Sequence, residues 1–261
     1  MLKSIWLYRG FIFESVKREF QSKYRNSILG ILWAIINPLA MITVYTVIFS
    51  QVMQAKLAGI DNTFSYSIYL CSGIITWGLF SEIISKAQNI FIDNANLLKK
   101  ISFPRLCLPI IVVLTALLNF LIIFSLFVIF LLITGNFPGW SLLAVLPVLI
   151  IQILFSISLG VFLGVLNVFF RDVGQLFSVV LQFWFWLTPI VYPITIIPEY
   201  LKPVMYFNPM FGLINSYQNV FVYGNIPEWS SLMPVIILTV FLGVLALGIF
   251  RKRSGEMMDE L

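Results

Sequence analysis

The chain alternates long uncharged apolar runs with short polar or basic segments. Residues 28–54 contain no charged side chain, and about 20 apolar residues suffice for a helix to cross the hydrocarbon core. The same pattern predicts further membrane helices over about 64–91, 106–134, 141–170, 173–189 and 232–250. Between them lie the short loop 56–63, the basic segment 93–105, the Gly/Pro turn 135–140 and the pair Arg171-Asp172. Prolines at 189, 193, 198, 203 and 209 exclude one straight helix after the fifth run. Residues 209–223 read as a second, shorter amphipathic piece ended by Gly224.

Residues 1–22 precede the first run. Leu2, Ile5, Trp6, Ile12, Phe13, Val16 and Phe20 share one helical face, and Lys3, Arg9, Glu14, Lys17, Arg18 and Gln21 take the other. That division predicts a helix lying in the membrane interface, with a helix packed on a soluble partner as the competing reading. The run after Arg25 exceeds the roughly 7–15 apolar residues of a signal peptide, so it is expected to stay as an anchor. Inside the runs, Asn37-Pro38 predicts a bend in the first. Glu82 and Lys86 form an i,i+4 pair late in the second. A solvated pair on a helix projecting beyond the membrane is the preferred reading, and a polar site within the bundle is the other. Gly160 and Gly164 form a GxxxG, which permits close helix approach but arises often by chance.

Composition agrees with this pattern. The 261 residues are 60% hydrophobic and 10% charged, against about 25% charged in soluble domains. One membrane domain over 1–261 is expected: an interface helix in 1–27, six spans in 28–253 and a tail at 254–261. The net charge of +5 has no basic patch outside the loops beside the spans, which excludes nucleic acid as a partner. The termini, 93–105 and 171–172 hold most of the Lys and Arg residues, so both termini are expected in the cytosol and 192–231 outside. There is no His. Cys71 and Cys107 read as buried free thiols, with no metal-ligand spacing. The scattered acidic residues offer no carboxylate pair for a membrane glycosyltransferase or hydrolase, so no catalytic residue is assigned. No GxxxxGK[ST] loop is present, and ATP hydrolysis by that route is excluded.

Three stretches carry a family resemblance. The first holds Tyr24, Arg25, Leu29, Gly30, Leu32, Trp33, Asn37 and Pro38. The second is Arg171-Asp172 between spans four and five, and the third is the aromatic, proline-rich run 184–193 followed by Asn208-Pro209. In this order they resemble ABC-2 type permeases that export bacterial polysaccharides. The resemblance implies an all-α integral membrane protein of the bacterial inner membrane. It would have six transmembrane helices, an N-terminal amphipathic interface helix and outward-facing re-entrant gate helices between spans five and six. It implies a homodimer with two copies of an ATPase subunit; ATP and Mg would sit on that partner and no cofactor on this chain. The implied cargo is a lipid-pyrophosphate-linked glycan, O-antigen first, with capsule, teichoic acid or a small molecule as alternatives. An ion-coupled transporter is the reading from another class, with Glu82 and Lys86 as its only buried candidates.

Roles follow from the resemblance. Segment 94–105 matches the region that couples to the ATPase, with Leu97, Leu98 and Ile101 for a groove on the partner and Lys99, Lys100 and Arg105 for its acidic groups. Arg171 and Asp172 join that coupling set, although capping two helix ends is a complete alternative. Lys23 and Arg25 are candidates for meeting a lipid head group, since an anion needs fixed cations near the interface. Sugar rings present apolar C–H faces to aromatic rings. Tyr45, Phe49, Trp77, Trp184, Trp186 and Tyr192 are therefore the expected substrate path, with lipid-facing belt and core filler as the competing reading.

Overall fold

With no water in the hydrocarbon core, backbone N–H and C=O groups have to pair within the chain, and a helix achieves this segment by segment. The computed structural model describes residues 6–23, 25, 27–52, 57, 62–100, 104–253 and 255–260, and among these there is no β-strand. Helix α1 (Arg9–Ser22) precedes the first run. Helix α2 (Trp33–Thr46) starts from a 3-10 turn at Gly30–Leu32, contains Pro38 and loosens into a π turn over Val47–Val52. There follow α3 (Ser65–Ala87), the short α4 (Ile90–Asp93) and α5 (Ala95–Lys100), then α6 (Cys107–Ile133), α7 (Val145–Phe169) and α8 (Asp172–Trp186). The chain ends with α9 (Lys202–Tyr206), α10 (Pro209–Gln218), α11 (Trp229–Arg253) and α12 (Glu256–Glu260).

Among the described residues five helical stretches are long and apolar enough to cross a membrane: Gly30–Ser50, Ser65–Ala87, Cys107–Ile133, Gly139–Phe169 and Trp229–Arg253. The run expected as a further span at 173–189 forms α8, which has only 15 residues. At 1.5 Å per residue α8 is about 22 Å long, short of the ~30 Å hydrocarbon core. Pro189 and Pro193 follow it, and proline disfavours helical backbone in the residue before it.

Helix α3 is the axis. It is 78% buried over its apolar window, against 11% for Gly30–Ser50. Helices α2, α6, α7, α8 and α10 all pack on it. The expected GxxxG is the point where α7 meets α3. A Cβ on Gly160 would stand 2.6 Å from Ala87 Cβ, and one on Gly164 would stand 2.5 Å from the Ala87 carbonyl oxygen. Higher on the same contact, Gln152 Nε2 donates to the Thr76 carbonyl at 2.8 Å.

Helices α7 and α11 run parallel. Near their starts Ser141 Oγ donates to the Gly224 carbonyl at 2.5 Å, and at their far ends the Arg253 guanidinium lies over the Phe169 ring at 5.8 Å. The chain between 170 and 228 therefore returns the whole length of the bundle. We call the end with Arg171 and Arg253 the basic end.

Gly164→Leu forces α3 and α7 apart. It is expected to cost about 1–3 kcal/mol, seen as a lower melting temperature in detergent. Gly248→Leu adds the same bulk on α11 where no atom lies within 4 Å, and should stay within about 0.5 kcal/mol of the parent protein.

Candidate functional site

Three polar features interrupt the apolar bundle. The first is at the basic end. Ile12, Ser15 and Val16 of α1 are buried, and α1 packs on α6. Glu19 continues that stripe by one turn and so points inward. Its Oε1 meets Lys86 Nζ at 2.8 Å, and Lys86 also meets Glu82 Oε1 at 3.1 Å. Asn119 Nδ2 of α6 donates to the same Glu82 oxygen at 2.6 Å. The Glu82–Lys86 pair, preferred from sequence as solvated and outside the bundle, is thus tied to α1 and α6. The reason is that an amide on α6 and a carboxylate on α1 reach it.

Beside this cluster is a cavity of about 490 Å³ lined by Arg18, Glu19, Arg25, Lys86, Asp93 and Asn94 among others. Arg18 and Arg25 have no ion-pair partner among the described residues. Partial desolvation raises the Asp93 carboxyl from its ordinary value, although the residue is exposed overall.

The second feature is a groove of about 530 Å³ between α3 and α8, lined by Trp77, Ser81, Ser85, Ser178, Gln182, Phe185 and Trp186 among others. Ser81 and Ser85 stand one turn apart on α3, and Ser178 and Gln182 one turn apart on α8. Side chains four apart share a helix face, so each wall presents a short polar ladder. Trp77 packs edge-on to Phe185 at 5.7 Å, and Phe185 edge-on to Trp186 at 5.3 Å. The groove can take a neutral, hydroxyl-rich ligand with apolar faces.

The third is the non-helical stretch after α8, at the end opposite the basic one. Side chains complete its backbone. Tyr66 OH donates to the Val191 carbonyl at 2.5 Å, and Tyr69 OH lies 3.0 Å from the Pro189 and 3.1 Å from the Tyr192 carbonyl. Gln218 Nε2 donates to Pro189 O at 3.2 Å. Asn208 caps α10 by accepting from Met210 N at 3.0 Å, accepts from Trp184 Nε1 at 2.8 Å and donates to Thr188 Oγ1 at 2.9 Å.

The six aromatic residues expected along a path lie in one connected network. Tyr45 contacts Phe49, which stacks on Tyr66, which contacts Tyr69. Tyr69 reaches Tyr192, whose OH donates to the Trp186 carbonyl at 2.6 Å. Trp77 meets Trp184 edge-on at 6.3 Å. Trp77 is buried and Trp186 is 62% exposed.

Of the expected head-group pair, Lys23 and Arg25 are both exposed, and Arg25 lines the cavity. In the expected coupling set, Leu98 is buried, Leu97 lines the cavity, Lys99 is exposed and Arg105 half-buried. Arg171 and Asp172 are exposed, with Asp172 in the first turn of α8. Leu2, Lys3, Ile5, Tyr24 and Ile101 lie outside the described residues, as does the Lys100 side chain. The sequence alone assigns no role to Glu19, Asn119, Ser81, Ser85, Ser178, Gln182 or Asn167, although Asn167 opens the stretch around Arg171-Asp172 and Gln182 the aromatic run. The signal for Asn119 was a lone amide in an uncharged run, and for Glu19 its i+7 spacing from Ile12.

Residues 11–222 match the ABC-2 type transporter family. The chain belongs to that family. The match takes in the cavity, the groove and the stitched turn of this ABC-2 transporter. The chain is 32% identical to the O-antigen export system permease protein RfbA of Myxococcus xanthus, covering 100% of this chain and 99% of that one. It is 29% identical to the protein of the same name from Klebsiella pneumoniae (97% and 96% covered). It is 23% identical to the polysialic acid transport protein KpsM of Escherichia coli, over 92% of each.

Asn167 fastens the basic end of this transporter. Its Nδ2 donates to the Gln88 carbonyl at 2.9 Å and its Oδ1 accepts from Gly174 N at 2.9 Å. Asn167→Leu strands both buried groups, each costing about 1–3 kcal/mol, and is expected to lower the melting temperature and speed proteolysis near 170. Asp93 gives a pH effect of known sign. A carboxyl raised above its ordinary 3.8 favours the folded state in acid, and that contribution is lost as pH climbs from 3.8 through the raised value. Asp93→Asn removes the loss, so at pH 7 it should melt at or above the parent protein. A lower melting temperature would contradict the burial penalty.

Proposed function

We propose that this chain is the permease subunit of an ATP-driven exporter that moves a lipid-pyrophosphate-linked polysaccharide, O-antigen first among candidates, out of the cytosol. The observation that carries the reading is the groove between α3 and α8. Its indole and phenyl rings suit the C–H faces of sugars, its serines and glutamine suit their hydroxyls, and no charge among its lining residues would trap a sliding chain. Full-length similarity to permeases named for O-antigen export supports the same cargo.

In this reading α8 and the stitched turn together make a sixth crossing, and α9 and α10 are gate helices on the outer side. The parallel course of α7 and α11 supports that, because the chain must recross between them. Both termini are cytosolic. Two copies assemble, which covers the exposed apolar faces of Gly30–Ser50 and α8, where Ile31, Trp33, Ile35, Leu176, Val179 and Phe183 point outward. Two nucleotide-binding ATPase subunits dock at the basic end against α5, Arg171 and Asp172, and carry the ATP and Mg. Arg25 and Lys23 receive the lipid pyrophosphate, with Arg18 beside them.

The test is purification from the native membrane with ATPase assay and glycan analysis of co-purifying lipid. A stoichiometric ATPase and a lipid-linked glycan are expected; a chain eluting alone, without ATPase activity, would overturn the reading. Within the intact exporter, Trp186→Ala with Gln182→Ala should cut surface polysaccharide about tenfold, the equivalent of ~1.4 kcal/mol, at unchanged membrane abundance.

A further inference from the structure

Lys86 is held by two carboxylates that differ in how firmly they are fixed. Glu82 lies one turn away on the same helix, and its Oε1 is also held by Asn119 at 2.6 Å. It stays with Lys86 wherever α3 goes. Glu19 belongs to α1. Its second oxygen lies 3.2 Å from Thr115 Oγ1, but that hydroxyl has one proton and a closer acceptor in the Ile111 carbonyl at 2.8 Å. The ammonium contact is therefore the main polar anchor of Glu19. An ammonium has three protons, so Lys86 can keep Glu82 while exchanging its other partner. Releasing Glu19 strands nothing: its side chain is already 37% exposed.

Both Glu19 and Lys86 line the 490 Å³ cavity, together with Arg18 and Arg25. An anion entering there meets two guanidiniums without ion-pair partners among the described residues and one ammonium whose partner is replaceable. A phosphate ester carries more charge and more acceptor oxygens than a carboxylate, and cation–phosphate hydrogen bonds are among the stronger ones. Asp93, an exposed residue, also lines the cavity.

We propose that a lipid-linked phosphate displaces Glu19 from Lys86, so that loading the cavity unfastens α1 from the α3–α6 contact. Lys86 is then a binding residue with two alternative anions, and Glu19 is a built-in competitor. This rests on the cargo reading given above. It adds that the protein carries its own substitute for the head group, and that α1 moves when the substitute is expelled.

The experiment uses the permease with its ATPase subunits in phosphatidylcholine nanodiscs. Farnesyl pyrophosphate is titrated by calorimetry, with farnesol as the uncharged control. Glu19→Gln should bind farnesyl pyrophosphate about fivefold tighter, and Lys86→Gln about tenfold weaker, with the gain from Glu19→Gln absent in the double variant. A purely structural clamp would weaken binding in both single variants. Should Lys86→Gln fail to assemble, Lys86→Arg supplies the reference and Glu19→Gln alone decides. Unchanged or weaker binding by Glu19→Gln, with the wild type still preferring the pyrophosphate to farnesol, overturns the exchange and leaves the cargo reading standing. A wild type that binds neither compound, with no lipid-phosphate co-purifying, overturns both.

Discussion

The structure depends on one constraint: a backbone group left open in hydrocarbon has no water to turn to. Helices meet it on their own, so most of the chain is helix. The stretch after Trp186 cannot, because its prolines lack donors and stop the helix. Its carbonyls are instead taken by Tyr66, Tyr69 and Gln218. Two of these three side chains sit on α3, which is both the most buried of the five membrane-length helices and the one that holds the irregular segment in place. Asn208 adds the start of α10 to the same knot. The aromatic residues near this turn do two jobs. Their rings fill space, their hydroxyls satisfy a broken backbone, and the Trp184 indole holds the Asn208 side chain.

Much of the fold was legible in the runs between charges. The spans expected at 64–91, 106–134 and 141–170 contain α3, α6 and α7. The GxxxG at 160 and 164 lies on a close helix contact although the motif alone is weak evidence, because what decides it is the Ala87 opposite, and a partner across space is not written beside the glycines. The fifth run was read as longer than α8, since its apolar residues continue to 189 while the prolines already govern the backbone. The polar sites were half legible. Glu82 and Lys86 stood out by spacing, yet their setting depends on Glu19 of α1 and Asn119 of α6, which lie far from them in sequence. Leu98 was expected as a contact for a partner and is buried within the chain instead. Amphipathic spacing marks a face that will be covered without saying by what.

Helix α3 also joins the two sites that carry the functional reading. With 23 residues it is about 34 Å long at 1.5 Å per residue. Tyr66 and Tyr69 lie near one end, Glu82 and Lys86 near the other, and Trp77, Ser81 and Ser85 of the groove between. Ser81 and Ser85 alternate with Glu82 and Lys86, one residue on, so the groove and the ion cluster occupy neighbouring faces of one helical turn. Its contacts with α7 include the close approach at Gly160 and Gly164, the Gln152 bond and the stacked rings of Phe80 and Phe155, all buried between the two helices. A packed helix pair of this kind shifts as a unit rather than deforming locally. A change at Lys86 that turns α3 therefore has to re-aim the serines of the groove and tug the Tyr66 and Tyr69 hydroxyls at the opposite end. The charged cavity, the neutral groove and the stitched turn are then three stations on a single rigid element. Separate control of each would need a break in α3, and its α-helix runs unbroken from Ser65 to Ala87.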